Sequence, residues 1–371
     1  MNRSRGYSAH NLNGEHREYE ILLAMAERLT TSVTDPLDIE QHDALLDYLR
    51  AAGHAEADES PAFTTLGGGV SSRVVLVERA GRPGWVIKQS LARLRVDVEW
   101  YSNPARIHRE ALGIRWLRDL APPSSVPALV FEDHEQHLIA MEAVPQPHRN
   151  WKTALLAGAL EMDHVRQFGH LLGTIHGRAS ERRMEVAGAF DDRSVFESLR
   201  VEPYYRYTAT RIRASAPFID DLIASVRARR LTLVHGDYSP KNILLYEGRL
   251  VLLDHEVVHF GDPAFDLGFS LAHFLSKAHH LEAKRAEFTA ATRTYWRAYR
   301  DSLGDPPWAG DLEEHAVRNT LGCLLARVAG RSPLEYLRCT ERERQQQVVL
   351  GLMRGTPGSI DDLVRRFSEG L

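Results

Sequence analysis

The period of the apolar positions changes twice along the chain, and those changes divide it. In residues 15–31, Ile21, Leu22, Ala24, Met25 and Leu29 recur at helical spacing, and a second helix is expected over 39–52, with Gly53 placed to end it. From residue 63 the pattern shortens to that of strands. Residues 63–66, a Gly67-Gly68-Gly69 turn, residues 74–77, a turn over 81–84 and residues 85–88 read as three strands with their connections. A helix is expected over 104–120, with Pro104 in its first turn, then strands over 128–131 and 138–141. Beyond Pro145 and Pro147 the pattern is helical except for one island, where strands are expected over 231–234, 243–245 and 251–253. The expected class is α+β. A helical extension (1–60) precedes a small lobe on an antiparallel sheet (61–145) and a larger helical lobe (146–371), with ligands in the cleft between the lobes.

Composition narrows the partners. The 371 residues carry a formal net charge of −4, and the basic positions form no stripe interleaved with aromatics. Binding to nucleic acid through its phosphates is therefore not expected. Cys323 and Cys339 are the only cysteines, too few for a disulfide framework or for a zinc site of their own. No apolar run reaches the length of a membrane span, and no apolar stretch follows the basic first residues as in a secretory leader. A cytoplasmic protein is expected. Eighteen histidines occur, but no pair such as His279-His280 has a third ligand at suitable spacing, and no zinc site is expected.

The chemistry concentrates in the β-rich island. An apolar strand delivers His235-Gly236-Asp237, and Asn242 follows five residues later. Downstream, Asp254-His255-Glu256 presents two carboxylates at i and i+2, which on a strand share one face. Asp237, Asn242, Asp254 and Glu256 together supply a base and oxygen ligands of the kind magnesium takes. Phosphoryl transfer asks for this combination, because its transition state is mostly charge to be neutralised and geometry to be held.

These residues resemble the catalytic loop and metal motif of the aminoglycoside phosphotransferase/choline kinase family, within the protein-kinase-like superfamily. The resemblance implies a two-lobed kinase fold that uses ATP and Mg2+. It makes Asp237 the catalytic aspartate, Asn242 and Asp254 metal ligands with Glu256 beside them, and His235 and Asp266 supports of the catalytic loop. In the small lobe, Gly68, Gly69, Ser71 and Ser72 would cover the phosphates, Lys88 would contact them, and Glu110, rather than Glu99, would pair with Lys88. Met141, Glu142 and Val144 fall where such enzymes pass between lobes and meet adenine.

Within the family, residues 86–95 and the Asp-x-Glu form of the metal motif are similar to methylthioribose kinases, although Asn242 stands where those enzymes have serine. Residues 281–371 hold 14 Lys/Arg against 13 Asp/Glu, no acidic excess to hold a polycation. The expected acceptor is a hydroxyl of a small neutral or anionic metabolite, a sugar or thiosugar, with Arg327 and Arg331 near it. An antibiotic phosphotransferase and a nucleotide-binding scaffold without turnover stay open as alternatives. Two roles also stay open for the opening helices, a cover over the cleft and a homodimer contact.

Overall fold

The computed structural model describes residues 37–67, 71–95 and 100–371. The helix expected over 15–31, together with Gly68, Gly69 and Glu99, lies outside them. Contacts divide the chain after Glu56. In the first unit, helix α1 (His42–Ala51) buries Leu45 and Leu49. It starts later than residue 39 because Asp38 turns the chain, its side chain accepting from the Glu40 amide at 3.0 Å. Gly53 ends it in the left-handed region at φ +73°.

The second unit holds both lobes. Its small lobe is an antiparallel sheet in the order β1-β2-β3-β5-β4. The strands are β1 (Ala62–Thr65), β2 (Ser72–Glu78), β3 (Trp85–Ser90), β4 (Leu129–Asp133) and β5 (Leu138–Glu142). Alternation along β2 and β3 buries Val75, Val77 and Ile87 on one face of the sheet, while on the other face Val86 packs against the core built by Ile107, Ala111, Ile114 and Leu117 of helix α2 (Arg106–Leu120). Lys88 sits mid-sheet, opposite Val74 on β2 and Ile139 on β5.

The large lobe begins at β6 (Arg149–Asn150) and is mostly helical. Helix α3 (Met162–Glu181) lies along α5 (Arg285–Leu303), and α4 (Pro263–His280) along α6 (Leu312–Ala329). The α3–α5 approach is unusually close. A side chain at Gly169, Gly173 or Gly177 would meet the carbonyl oxygens of Tyr295, Tyr299 and Leu303 at 2.5, 2.5 and 2.4 Å. Two small β-ribbons sit in this lobe. One pairs β7 (Thr232–Val234) with β10 (His259–Gly261), and the other orders β6, β8 (Ile243–Tyr246) and β9 (Arg249–Leu252). No helix among the described residues is long and apolar enough to cross a membrane.

One expectation is corrected. β9 ends at Leu252, and Asp254 takes a left-handed φ of +67°. Asp254 and Glu256 therefore lie on an irregular turn, and strand alternation does not put them on one face. The left-handed conformation costs a non-glycine residue of order 1 kcal/mol, and such strain is characteristic of functional turns.

Candidate active site

The turn that carries Asp237 is held from beneath. β7 delivers His235, and Gly236 takes φ +78°, a conformation for which glycine carries no Cβ penalty. A Cβ there would also stand 2.6 Å from the Val257 side chain. Asp266, fully buried on α4, accepts from the His235 and Gly236 amides at 2.6 and 2.8 Å, with His176 Nε2 3.3 Å away. Burial opposes its ionisation, but these donors hold it below the ordinary carboxylate range. His235 Nδ1 accepts from the Asp237 amide at 3.2 Å, fixing the next residue of the turn.

Asp237 itself is buried and heavily partnered. Arg200 Nη2 lies 3.0 Å from Oδ1, Lys241 Nζ 2.7 Å from Oδ2, and the Asn242 amide nitrogen donates to Oδ2 at 2.8 Å. Burial would raise its pKa, but the charges of Arg200 and Lys241 outweigh that and keep the carboxyl below its ordinary value. Asn242 spends its nitrogen on Asp237, at the backbone carbonyl (2.9 Å) as well as Oδ2. Its amide oxygen is left facing other needs.

Lys88 Nζ lies 2.7 Å from Glu110 Oε1 and 2.8 Å from Asp254 Oδ1, so the small lobe's sheet, its helix and the Asp254 turn meet at one ammonium. Burial opposes charge on Lys88, yet Asp254 and Glu110 raise it well above its ordinary range. Burial likewise dominates at Glu110 and lifts it to about 7, against the pull of Lys88. Two carboxylates share one ammonium, so the three groups titrate as a unit. Asp254, paired with Lys88 and near Lys241, stays ionised far below the usual range despite burial.

Glu256 is held differently. Its Oε2 accepts from Arg106 Nε at 3.0 Å, and Arg106 also bonds the Ser71 carbonyl at the end of the glycine turn. Ser72 lies in β2, with a buried hydroxyl that has no partner among the described residues. In the segment between lobes, the Glu142 and Ala143 amides donate at 2.8 Å to the Ala128 and Gly84 carbonyls, and His148 Nδ1 lies 3.1 Å from the Val144 carbonyl. Met141 is buried on β5. The donors brought together near Asp237 and Asp254 are carboxylate and amide oxygens, a set that fits Mg2+ rather than a softer ion.

Residues 62–308 match the APH phosphotransferase enzyme family. The chain belongs to that family. Among its relatives are a methylthioribose kinase of Oryza sativa subsp. japonica and one of Klebsiella pneumoniae subsp. pneumoniae. The first is 24% identical over 219 residues (51% of this chain, 50% of that protein) and the second 25% identical over 260 residues (63% and 65%). The chain thus spans about half the length of the rice enzyme. Among solved structures, the amicoumacin kinase hAmiN complex (TM-score 0.55, 15% identity, 85% of this chain and 94% of that one) shares the fold. So does Plasmodium vivax ethanolamine kinase (TM-score 0.53, 11% identity, 94% and 96%).

Several polar residues of this family member's site carry no sequence signal. Arg200 stands on a π-helical segment, Glu197–Arg206, and also donates to the Gly236 carbonyl at 2.7 Å from 36 residues upstream. Arg106 and Glu256 are 150 residues apart. Lys241 lies inside the recognised motif, where its charge was the available clue. Of the two late arginines, Arg327 is buried over the Tyr204 and Phe269 rings that Arg200 also covers, with Nη2 3.2 Å from His273 Nε2. Arg331 is not brought to this group. It lies over Tyr207, 3.7 Å from Glu202.

Proposed function

We propose that the chain is an ATP-dependent kinase that transfers the γ-phosphoryl group to a hydroxyl of a small neutral or anionic metabolite, a sugar or thiosugar of the methylthioribose kind. The observation that carries this reading is the grouping of Asp237, Asn242, Asp254, Lys88 and Glu110 in a member of a phosphotransferase family. Held as a carboxylate of low basicity, Asp237 accepts the hydrogen bond of the acceptor hydroxyl and orients it. It takes the proton only late, as a loose transition state allows. Lys88, steadied by Glu110, neutralises phosphate charge, and Ser71 and Ser72, with Gly68 and Gly69, would cover the phosphates. The Glu142 and Ala143 amides being committed, the Val144 amide is the donor of the inter-lobe segment that would meet adenine, with Met141 on the strand that leads to it. Asn242 and Asp254 would hold Mg2+, with the remaining oxygen of Glu256 beside them; bound there, the ion supplies charge neutralisation at the phosphates.

The buried polar group on α4 and α6 bears on the acceptor class. Lys277 is fully buried, and burial together with Lys152 and Arg327 pushes it down to about 7. His273 and Arg327 stand beside it, and the acid that acts on it, Glu335, is already paired with Lys152. Burial leaves His273 uncharged and Lys277 only partly charged, so the group offers a polycation no counter-charge and suits a neutral or anionic ligand. ADP release measured across sugars, thiosugars, amino alcohols and aminoglycosides tests this. Turnover with a neutral or anionic sugar and none with aminoglycosides is expected. An aminoglycoside as best acceptor, or nucleotide binding with turnover on none, overturns it.

A further inference from the structure

A second cluster of coordinating groups lies in the small lobe, apart from every residue assigned above. His108 projects from α2, Glu132 from β4, and His134 and His137 from the turn between β4 and β5. Glu132 Oε1 is 3.0 Å from His108 Nδ1 and 2.9 Å from His134 Nε2. The two imidazoles stack with centroids 3.8 Å apart. One atom from each of the three residues falls within 4.8 Å of the others. Around a tetrahedral zinc with ligands at about 2.0–2.1 Å, neighbouring donors stand roughly 3.3 Å apart, and because stacked rings cannot both aim an in-plane nitrogen at one ion, the exposed His134 ring must turn out of the stack to bind.

The surroundings follow the habit of metal sites as well. The second nitrogen of a ligating histidine usually donates to a fixed partner, and its carboxylate neighbour is itself bonded. His108 Nε2 lies 3.2 Å from His137 Nδ1, and Arg115 holds the other Glu132 oxygen at 2.5 Å.

We propose that His108 Nδ1, Glu132 Oε1 and His134 Nε2 form a three-ligand site for a divalent transition ion of the zinc class, with a water in the fourth position. The histidine-pair rule missed it because Glu132 is 24 residues from His108 and reaches it only through the fold. An ion there ties α2 to the β4–β5 turn. That turn accepts hydrogen bonds from Gln89 and the Ser90 amide, both at 3.2 Å, next to Lys88, while α2 carries Glu110. The ion therefore joins the two segments that bear the Lys88–Glu110 pair.

Cobalt is the probe. The full chain, without a histidine tag and freed of metal, is titrated with Co2+ in millimolar Mg2+, which occupies oxygen donors but not imidazoles. One equivalent should give the visible absorption of four-coordinate Co2+, displaced by Zn2+, and Zn2+ alone should raise Tm. His134 is 71% exposed, so His134→Ala keeps the fold, and it and Glu132→Gln should lose both responses. No absorption and no Tm change in the wild type would overturn the site, and so would unchanged responses in the two variants.

Discussion

Asp237 owes its charge to its neighbours. A carboxyl buried this deeply would be neutral alone, and Arg200 and Lys241 reverse that. Removing one of them must raise its pKa. If Asp237 is the carboxylate that faces the acceptor, as proposed, activity needs its ionised form, and the acid limb of the rate profile moves to higher pH, not lower. Arg200→Met is expected to move that limb up by about 1 unit or more. The pH dependence of kcat reads it, with Tm taken alongside because Arg200 also bonds the Gly236 and Leu199 carbonyls. An unmoved limb in a folded variant would show that Lys241 suffices. Residues of this kind mark the limit of sequence reading. Asp237, Asn242, Asp254 and Asp266 were legible because a short motif fixes their spacing. Arg200, Arg106 and His176 reach the site through tertiary folding, and nothing near them in the chain announces it.

Elements were more legible than residues where a period lasts. The five strands of the small lobe and helix α2 appear within a few residues of their expected bounds, because alternation and helical spacing each persist there. The Asp254 segment misled because its apolar lead-in continues a strand pattern past the point where the backbone turns. The α3–α5 contact also rests on a pattern, glycines at every fourth position of one helix face. Gly173→Ala gains roughly 1 kcal/mol of helix propensity. It also forces a Cβ against the Tyr299 carbonyl at 2.5 Å, and such overpacking costs about 1–3 kcal/mol. A net loss of about 1 kcal/mol in urea unfolding is expected; unchanged or higher stability would mean that the two helices separate freely.

Across the whole molecule, the two lobes are stitched by ion pairs whose members come from both. Lys88 meets Asp254, and Arg106 meets Glu256. Each pair joins an element of the small lobe to the Asp254–Glu256 turn, so these ion pairs also hold the lobes in register. Buried pairs of this kind contribute little net stability, because desolvation offsets their attraction, and their value lies in geometry. The whole account turns on Asp237 as the residue that faces the acceptor hydroxyl. The most direct measurement compares Asp237→Asn with the wild type in transfer of labelled γ-phosphate from ATP to the best acceptor, with nucleotide affinity measured in parallel. The account predicts a fall in turnover of about 10²- to 10⁴-fold with nucleotide affinity retained; turnover near the wild-type rate would contradict it.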